Sequence, residues 1–476
     1  MNPTMDLALK EIASVFGIRE TQSSADGVPS GISTDSRTLK AGDLFFALSG
    51  DRFDGHDYVK AVLDRGACGA VVKEPWAVRA DPSMAPFLWP VKDPLCALQD
   101  LAARYRKTFL IPVIAVTGSN GKTTTKEMVA SILKIGHRIA KSEGNLNNAI
   151  GVSLSVCSWM WDDEFAVVEM GTNHFGEIRR LCEIVDPTHG VVTNVGKGHL
   201  EFFGDCEGVL RAKAELLDHL ASRGRVFLNG DDPRLYSVRG RVKDTVLFGF
   251  SERCDVRARE LENDPSGRPR MEFQGKTVTL PVFGRHQLSN ALAAAAVCTA
   301  FGVDPGTVCR GLQDFRPVAQ RMEIIHSAAG VVVINDSYNA NPTSTREALL
   351  TLKRFPGKGR KIAILGDMLE LGEASASEHE EIGNQVAEFG LDAFFAAGPW
   401  MEHAAQRARQ RKVPHVVHGA LGKDLISPLM DFLRDGDTVL VKGSRGMAME
   451  VVADAIRKSK QHPDSQSGHG LRPDSP

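Results

Sequence analysis

The sequence lacks the marks of an exported, membrane-bound or nucleic-acid-binding protein. Its 57 lysine and arginine residues nearly balance 59 aspartate and glutamate residues, so the formal net charge is −2 and no positive excess attracts nucleic acid or anionic lipid. The longest apolar run, residues 291–301, is far too short to span a bilayer. No cationic start precedes an apolar stretch at the N-terminus. We therefore expect a cytoplasmic chain with no membrane insertion and no nucleic-acid partner.

Cysteine is also sparse. The eight cysteines are scattered along the chain and include no Cys-x-x-Cys pair. That absence argues against a metal or redox site built from closely spaced thiols. The expected state is reduced and mostly buried, as is usual for cytosolic thiols.

A strand, a glycine-rich turn and a helix follow one another in residues 113–136, VIAVTGSNGKTTTKEMVASILKIG. This order places backbone N–H groups and the positive end of a helix around an anion. Gly118 and Gly121 let the backbone approach phosphates, Lys122 can reach the β and γ oxygens, and Thr123 can offer a hydroxyl to Mg²⁺. The usual pattern has one more glycine where Val116 stands. An ordinary tight turn is the alternative, but Gly-Lys-Thr in this context favours a nucleoside triphosphate.

Apolar strands alternate with helical stretches over most of the chain. PVIAV, FAVVEM, GVVTNV and RVFLN do so up to about residue 317, and VVVIND, KIAILGD, DAFFAAG, PHVVHG and DTVLVKG do so after it. This rhythm is typical of parallel sheets with crossover helices. We predict an α/β protein of three domains: a small N-terminal α/β module (1–92), a central P-loop domain with a doubly wound parallel sheet (93–317) and a C-terminal Rossmann-like domain (318–459). The polar tail 460–476 is predicted to be disordered.

Several polar residues at strand ends have both a functional and a structural interpretation. Glu169 could hold Mg²⁺ or cap the next helix, and His199 alone would be an ordinary surface or core residue. Lys213 lies in a helical stretch, where lysine usually faces solvent. Arg321 suits a phosphate or a surface ion pair, and Asn290 could be a helix N-cap.

The phosphate loop, residues 117–123, resembles the ATP loop of the Mur ligases, the amide-forming enzymes of peptidoglycan precursor synthesis. Further motifs follow in that family's order up to about residue 458. They are GNLNN (144–148), EMG (169–171), NVGKGHLE (194–201), AKAE (212–215), GRH (284–286) with Asn290, then Arg321, DSYNANP (336–342), GDMLELG (366–372) and KGSR (442–445).

The resemblance implies an ATP-dependent ligase that adds D-alanyl-D-alanine to UDP-N-acetylmuramoyl-tripeptide through an acyl phosphate. It implies a central ATPase domain, an N-terminal domain for the UDP-sugar and two Mg²⁺ ions. Three domains of one chain suffice to bring three ligands together, so we expect a monomer. The residues implied for ATP are Thr117, Gly118, Ser119, Asn120, Gly121, Lys122, Thr123, Thr124, His286, Asn290, Arg321, Asp336 and Asn339. Those implied for Mg²⁺ are Thr123, Glu169, His199 and a carbamoylated Lys213, and those for catalysis are Lys122, His199, Lys213 and Arg321.

Polar turns in the N-terminal block and two asparagine-rich segments are the implied sites for the UDP-linked substrate and the dipeptide. These residues are Ser33, Asp35, Ser36, Arg37, Asp54, Gly55, His56, Asn145, Asn147, Asn148 and Asn341. The structural alternative is that Asp and Ser side chains bridge turn amides.

Other functions stay open at this point. Another Mur-type or a folylpolyglutamate-type ligase would share the phosphate loop, and a P-loop ATPase or switch would share it without an amine acceptor. Two further motifs are interpreted as structural. Residues 231–234, DDPR, are predicted to form a turn, and residues 378–381, EHEE, an exposed helix face.

Overall fold

The structure is a computed structural model that describes residues 7–18, 27–50 and 53–459. The tail predicted to be disordered, 460–476, lies outside the described residues. The chain divides into a first unit, Met1–Asn194 with Leu210–Val256 and Ala293–Val308, and a second unit, Val195–Val209 with Arg257–Leu292 and Cys309–Pro476. The boundaries expected near residues 92 and 317 stay predictions. In the described part of the chain, no helix has the length and apolar character needed to cross a membrane.

The described residues up to Arg106 form a small parallel sheet with flanking helices; the sequence predicted a small α/β module at residues 1–92, without the direction of its strands. Its elements are α1 (Leu9–Val15), β1 (Gly31–Ser33), β2 (Asp43–Phe46), α2 (Val59–Asp64), β3 (Gly69–Lys73), α3 (Glu74–Ala77), β4 (Leu88–Val91) and α4 (Pro94–Arg106). The strands are parallel, in the order β1-β2-β3-β4. Phe45, Val59, Val62 and Val72 form the buried core between this sheet and α2.

A seven-stranded sheet follows in the order β11-β10-β9-β8-β5-β7-β6, with β10 through β6 parallel. Its elements are β5 (Val113–Thr117), α5 (Lys122–Leu133), β6 (Ile139–Lys141), α6 (Ala149–Cys157), β7 (Phe165–Glu169), α7 (Glu177–Val185), β8 (His189–Val192), α9 (Cys206–Leu220), β9 (Arg225–Asn229), α10 (Pro233–Ser237), β10 (Asp244–Gly249) and β11 (Val256–Arg257). Helix α8 (Leu200–Phe203), which precedes α9 in the chain, belongs to the second unit. Strand order reverses at β5, which lies between β7 and β8. Ligands of open α/β sheets bind at the carboxyl edge of such a reversal.

An antiparallel sheet that the sequence pattern did not reveal follows in the second unit. Its strands β12 (Arg259–Leu261), β13 (Arg270–Phe273) and β14 (Lys276–Thr279) precede α11 (His286–Ala300) and α12 (Pro305–Gln313). Gln274 and Gly275 form the turn between β13 and β14 with φ values of 46° and 75°. Two left-handed residues are what a tight hairpin turn requires.

The rest of the second unit is a six-stranded sheet in the order β15-β16-β20-β17-β18-β19, parallel except for β15. Its elements are β15 (Glu323–His326), β16 (Val332–Asp336), α13 (Pro342–Arg354), β17 (Lys361–Gly366), α14 (Ser375–Glu388), β18 (Ala393–Ala397), α15 (Met401–Gln410), β19 (His415–Gly419), α16 (Lys423–Phe432), β20 (Thr438–Lys442) and α17 (Glu450–Lys458). Because β20 lies between β16 and β17, the motifs DSYNANP, KGSR and GDMLELG leave the carboxyl ends of three adjacent strands.

Candidate active site

The phosphate loop lies at the sheet's switch point, between β5 and α5. Gly118 and Gly121 have φ values of 145° and 82°, in the region that favours glycine. A Cβ on Gly118 would come 1.9 Å from Thr193 Oγ1, so no larger residue fits without movement. The first turn of α5 begins at Lys122, which points the amide end of this 12-residue helix at the loop.

Side chains beyond the loop fix its shape. Asn194, just after β8, accepts from Asn120 N at its Oδ1 and from Ser119 N at its carbonyl oxygen, both at 3.0 Å. Lys122 Nζ donates to Gly118 O at 2.9 Å, so the ammonium lies over the loop. These hydrogen bonds fix the backbone of the loop and place its lysine over it.

Three threonines frame the loop. Thr117, at the end of β5, donates through Oγ1 to Met170 O at 2.9 Å and so ties β5 to the chain beyond β7. Thr123 and Thr124, in the first turn of α5, are buried. Their positions are those that the sequence predicted, at the helix end that faces the loop.

Glu169 ends β7 next to the loop and is 1% exposed. Its Oε1 accepts from Asn147 Nδ2 at 2.8 Å, whereas its buried Oε2 accepts no hydrogen bond from any residue in the described ranges. The alternative that Glu169 caps the next helix is wrong, because Gly176 is the N-cap of α7 and Glu177 and Glu215 accept from the amides around it. A buried carboxylate oxygen without a donor calls for a ligand.

Lys126, which the sequence analysis did not single out, lies close to Glu169. Its side chain is fully buried, and Nζ donates to Ser142 O at 2.6 Å and Gly144 O at 2.9 Å. The same ammonium is 3.8 Å from Glu169 Oε2. Lys126 thus joins α5 to the GNLNN segment and the end of β7. The helical repeat that follows Gly-Lys-Thr could have shown on which face of α5 this lysine lies, and therefore that it points inward.

Lys213, on α9, is 2% exposed, so the expectation of a solvent-facing lysine is wrong. Within the described ranges its Nζ has no hydrogen-bond partner. Burial, together with the nearby charge of Lys122, lowers the pKa of Lys213 to about 7. A substantial fraction of such an amine is uncharged near neutral pH, unlike ordinary lysine.

In the second unit, His199 is held by a residue that the sequence did not suggest as a partner. Its Nδ1 lies 2.5 Å from Glu370 Oε2, in the GDMLELG motif. Lys197, two residues earlier, pairs with Glu378 at 2.6 Å. The segment that carries His199 is therefore fixed at two points to the region after β17.

The three motifs at the carboxyl ends of β16, β20 and β17 are joined by hydrogen bonds. Lys442 Nζ donates to Asp336 Oδ2 at 2.5 Å and to Asn339 O at 2.8 Å. Ser444 Oγ accepts from Leu369 N at 2.8 Å. DSYNANP, KGSR and GDMLELG are thus joined in one hydrogen-bonded cluster.

Residues predicted near the adenine lie at the start of α11. This helix begins at His286, so Asn290 is inside it and the N-cap alternative is wrong; its amide instead donates to Gln287 Oε1 at 2.9 Å. His286 Nδ1 is buried and makes no hydrogen bond to the described residues. Burial lowers the pKa of His286, which favours the neutral ring.

Arg321 contacts the DSYNANP motif, of which Asp336 is the first residue. The Arg321 guanidinium lies 4.0 Å from the centre of the Tyr338 ring. Asp336 accepts from Met322 N at 3.2 Å through Oδ1, in addition to its contact with Lys442. Asp336 is therefore held by two donors, and each oxygen retains a further lone pair.

The polar turns of the N-terminal block make the local contacts of the structural alternative. Arg37 binds Asp35 through Nε at 2.9 Å and Nη2 at 2.7 Å, and this hydrogen bonding lowers the pKa of Asp35 to about 2. Asp54 accepts from His56 Nδ1 at 2.6 Å, and His56 Nε2 accepts from Lys73 N at 3.0 Å. The role of these residues in substrate binding stays a prediction, as it does for Ser33, Ser36 and Gly55.

The predicted asparagines also have local partners. Asn148 caps α6 by accepting from Gly151 N, and Asn341 caps α13 by accepting from Ser344 N, both at 2.9 Å. Asn147 binds Glu169, as described above, and Asn145 is exposed. The asparagines therefore shape the loops around the site, and direct substrate contacts stay predictions.

Of the two further motifs, one interpretation holds for half of its residues and the other is wrong. Asp231 accepts from Phe250 N and Ser251 N, and Asp232 caps α10, so the expected turn covers these two residues, whereas Pro233 and Arg234 begin the helix α10. The EHEE segment is not simply an exposed face, because His379 is fully buried. Its Nε2 accepts from Met368 N at 3.0 Å and its Nδ1 donates to Ser375 O at 2.6 Å, which positions the GDMLELG motif.

The structure places the predicted site residues in both units. The first unit holds the phosphate loop, Glu169 and Lys213, and the second holds His199, His286, Asn290, Arg321, Asp336 and Asn339. Across residues 7–18, 27–50 and 53–459, no group of three or more His, Cys, Asp or Glu residues could hold a metal ion. A metal in the first unit would therefore need ligands of other kinds as well, such as Thr123, a modified lysine or phosphate oxygens.

Comparison with known proteins gives the same arrangement of domains. Models of the Mur ligase family match consecutive parts of the chain: the family's catalytic domain at residues 29–106, the middle domain at 116–298 and the glutamate ligase domain at 320–445. The predicted three-domain α/β architecture is confirmed.

Similar proteins cover nearly the whole chain. The UDP-N-acetylmuramoyl-tripeptide--D-alanyl-D-alanine ligase of Bacillus subtilis is 35% identical over 90% of this chain and 93% of its own length, and that of Escherichia coli is 33% identical over 91% and 95%. The crystal structure of MurF from Acinetobacter baumannii superposes with a TM-score of 0.83 at 32% identity, over 96% of this chain and all (100%) of that one. MurF from Thermotoga maritima, in complex with ADP, gives 0.78 at 30% identity, over 90% and 97%. The chain belongs to the Mur ligase family.

Proposed function

We propose that this protein is an ATP-dependent ligase that adds D-alanyl-D-alanine to UDP-N-acetylmuramoyl-tripeptide, forming the UDP-linked pentapeptide precursor of peptidoglycan. The observation that carries the proposal is the phosphate loop at the switch point of the sheet, with the buried Glu169 carboxylate at the end of the adjacent strand. The names of the relatives, which share about a third of their residues with this chain, supply the substrates.

The chemistry requires ATP because a carboxylate is a poor acyl donor. In the proposed reaction an oxygen of the tripeptide's terminal carboxylate attacks the γ-phosphorus of ATP, and the bond to the ADP oxygen breaks. The amine nitrogen of D-alanyl-D-alanine then attacks the acyl carbon, phosphate leaves with its pair of electrons, and the nitrogen loses a proton. Excluding water protects the acyl phosphate from hydrolysis.

We assign charge stabilisation on the transferred phosphoryl group to Lys122 and Arg321, since both keep their positive charge during transfer. The support for Lys122 is its position over the loop carbonyl of Gly118. We assign the adenine to His286 and Asn290, supported by the buried His286 Nδ1 that lacks a partner in the described chain. The ribose hydroxyls are assigned to Asp336 and the neighbouring Asn339.

The residues around Glu169 suit Mg²⁺, which prefers hard oxygen ligands. Glu169 Oε2 is a buried carboxylate oxygen with no donor among the described residues, and Thr123 lies in the first turn of the helix after the loop. We propose that these two residues, His199 and a modified Lys213 hold two Mg²⁺ ions. When bound, Mg²⁺ would neutralise charge on the β- and γ-phosphates.

We further propose that Lys213 is carbamoylated. Its amine is buried and depressed in pKa to about 7, so its neutral form can attack the carbon of CO₂ and lose a proton to solvent, leaving an anionic carbamate. Replacing Lys213 with alanine should remove activity, and short-chain carboxylates should restore part of it. Wild-type activity in the Lys213→Ala variant would exclude the carbamate.

The remaining assignments follow the same family. The UDP-sugar end is assigned to Ser33–Arg37 and Asp54–His56, and the peptide substrates to Asn145–Asn148 and Asn341. We propose that the enzyme works as a monomer. We also propose that it works in the cytoplasm, where thiols are kept reduced, and this agrees with the eight free cysteines in the described chain.

The first test is phosphate release from ATP and Mg²⁺ with UDP-N-acetylmuramoyl-tripeptide, run with and without D-alanyl-D-alanine, with mass analysis of the product. Release that needs both substrates and yields the UDP-linked pentapeptide supports the proposal. Release that ignores both substrates would favour a P-loop ATPase or switch. Product with a different amine acceptor would favour another Mur-type or a folylpolyglutamate-type ligase.

A further inference from the structure

An imidazole and a carboxylate that lie 171 positions apart in the chain meet within the second unit. His199 Nδ1 is 2.5 Å from Glu370 Oε2. The two segments also share a backbone hydrogen bond, from Glu201 N to Glu370 O at 3.1 Å. The contact is thus built from side chains and backbone together, and it does not depend on a single flexible rotamer.

Both residues of this contact have an unusual backbone conformation. His199 has a φ of 56° and Glu370 a φ of 62°, in the left-handed region that non-glycine residues rarely adopt. Such residues are strained and persist where the surrounding structure over-determines them, commonly at functional sites. Two such residues in direct contact indicate that the surrounding structure holds both of them in place.

The contact fixes which ring nitrogen carries the proton. An ionised carboxylate only accepts hydrogen bonds, so Nδ1 must be protonated and donate to Glu370. In the neutral ring Nε2 then keeps its lone pair, and it makes no hydrogen bond to a residue in the described ranges. The Phe203 ring, edge-on to the imidazole at 6.4 Å between centroids, limits rotation of the ring. Histidines that bind metals are commonly held in this way by a carboxylate on the other nitrogen.

We propose that Glu370 is a positioning residue that holds His199 as the Nδ1–H tautomer, with the Nε2 lone pair presented as the metal ligand. The proposal rests on the proposed function for the identity of the reaction, but the tautomer itself can be measured without substrates. Glu370 touches neither ATP nor the reacting carboxylate in this scheme; it acts through His199.

The chain offers a matched control for the docking of the His199 segment. Lys197 lies two residues before His199 and forms a 2.6 Å ion pair with Glu378, on α14. Replacing Glu378 with glutamine removes a charged contact of the same segment but leaves the imidazole and its carboxylate in place. A purely structural role of Glu370 would make the Glu370 and Glu378 variants behave alike.

The first readout is the tautomer of His199, measured by long-range ¹⁵N–¹H NMR on histidine-labelled protein without ATP or metal, with His199→Gln to assign the signal. We expect a protonated Nδ1 in the wild type, in Glu370→Gln, whose amide oxygen still accepts, and in Glu378→Gln. In Glu370→Ala we expect a mixture of tautomers. A wild-type tautomer in Glu370→Ala would overturn the proposal.

The second readout is the Mg²⁺ concentration that gives half-maximal pentapeptide formation. We expect Glu370→Ala to raise it by about 10- to 100-fold, the usual cost of losing a carboxylate behind a ligating histidine, and Glu370→Gln to recover most of that loss. Equal effects in Glu370→Ala and Glu378→Gln would refute a specific role. If the wild type forms no pentapeptide, the proposed function fails, and the tautomer measurement still decides the role of Glu370.

Discussion

Replacing Lys126 with methionine should destabilise the first unit strongly. The lysine is fully buried, donates to Ser142 O and Gly144 O at 2.6 and 2.9 Å and lies 3.8 Å from Glu169 Oε2. Methionine fills a similar volume but leaves two carbonyl oxygens without this donor and a buried carboxylate without its nearby cation. Removing one partner of a buried ion pair costs about 3–5 kcal/mol, so we expect a loss of about 4 kcal/mol in the free energy of unfolding.

The matched control is Lys213→Met, which should raise the free energy of unfolding where Lys126→Met lowers it. The unfolded lysine binds a proton below its ordinary pKa of 10.5, but the folded one only below about 7. Wild-type stability therefore falls as the pH drops from 10.5 to about 7 and is level below that. At pH 8 the penalty is about 3 kcal/mol at 1.36 kcal/mol for each pKa unit. The methionine variant should avoid it.

The assay is urea denaturation of both variants and the wild type at pH 8, followed by circular dichroism in buffer freed of CO₂ so that Lys213 stays an amine. We expect a lower midpoint for Lys126→Met and an equal or higher one for Lys213→Met. A Lys126→Met variant as stable as the wild type would refute the argument that this lysine compensates Glu169. Equal losses in both variants would show that burial alone, and not pairing, sets the effect.

Three other changes test the site and the fold. Gly118→Ala should abolish ligase activity and lower the melting temperature, because the new Cβ would meet Thr193 Oγ1; Gly136→Ala, where no atom lies within 4 Å, is the control, and normal activity in Gly118→Ala would contradict the loop geometry. Lys122→Ala should lower kcat by about 10²-fold or more with an unchanged circular dichroism spectrum, and full turnover would remove its phosphate assignment. Burial lowers the pKa of His189 to about 4, with Arg225 contributing, so the free energy of unfolding should fall as the pH drops from 6.5 to 4. His189→Phe should reduce this loss of stability, measured as melting temperatures at different pH values. An unchanged loss in the variant would assign it to other groups.

The sequence predicted those parts of the fold in which a single local pattern identifies the secondary-structure element. Strands such as Val113–Thr117 and Lys361–Gly366 are short, apolar and followed by helical stretches, so burial on both faces is visible in the residues themselves. The sheet of β12, β13 and β14 was missed because its strands are three or four residues long and half exposed. The Gln274–Gly275 turn was the signal that could have indicated it.

The site was predictable where a motif has a local geometry and not where partners are distant in the chain. The phosphate loop is local, and its strand, turn and helix lie where the sequence placed them. The partners Glu370 for His199 and Lys442 for Asp336 depend on the order of strands in the six-stranded sheet, which no local pattern contains. The burial of Lys213 and His379 is likewise a property of packing, and residue type alone favours the opposite.

The second unit is assembled from three separate stretches of chain, the first of which is Val195–Val209. During synthesis this stretch leaves the ribosome more than a hundred residues before the six-stranded sheet that precedes and follows Glu370. His199 therefore cannot contact Glu370 until that later part of the chain has been synthesised. Folding of the second unit therefore cannot finish stretch by stretch in the order of translation. A fragment cut at the boundary expected near residue 317 would separate His199 from Glu370. For this reason, any continuous piece of the protein able to form that contact must run from the first stretch of the second unit, at Val195, to beyond Glu370.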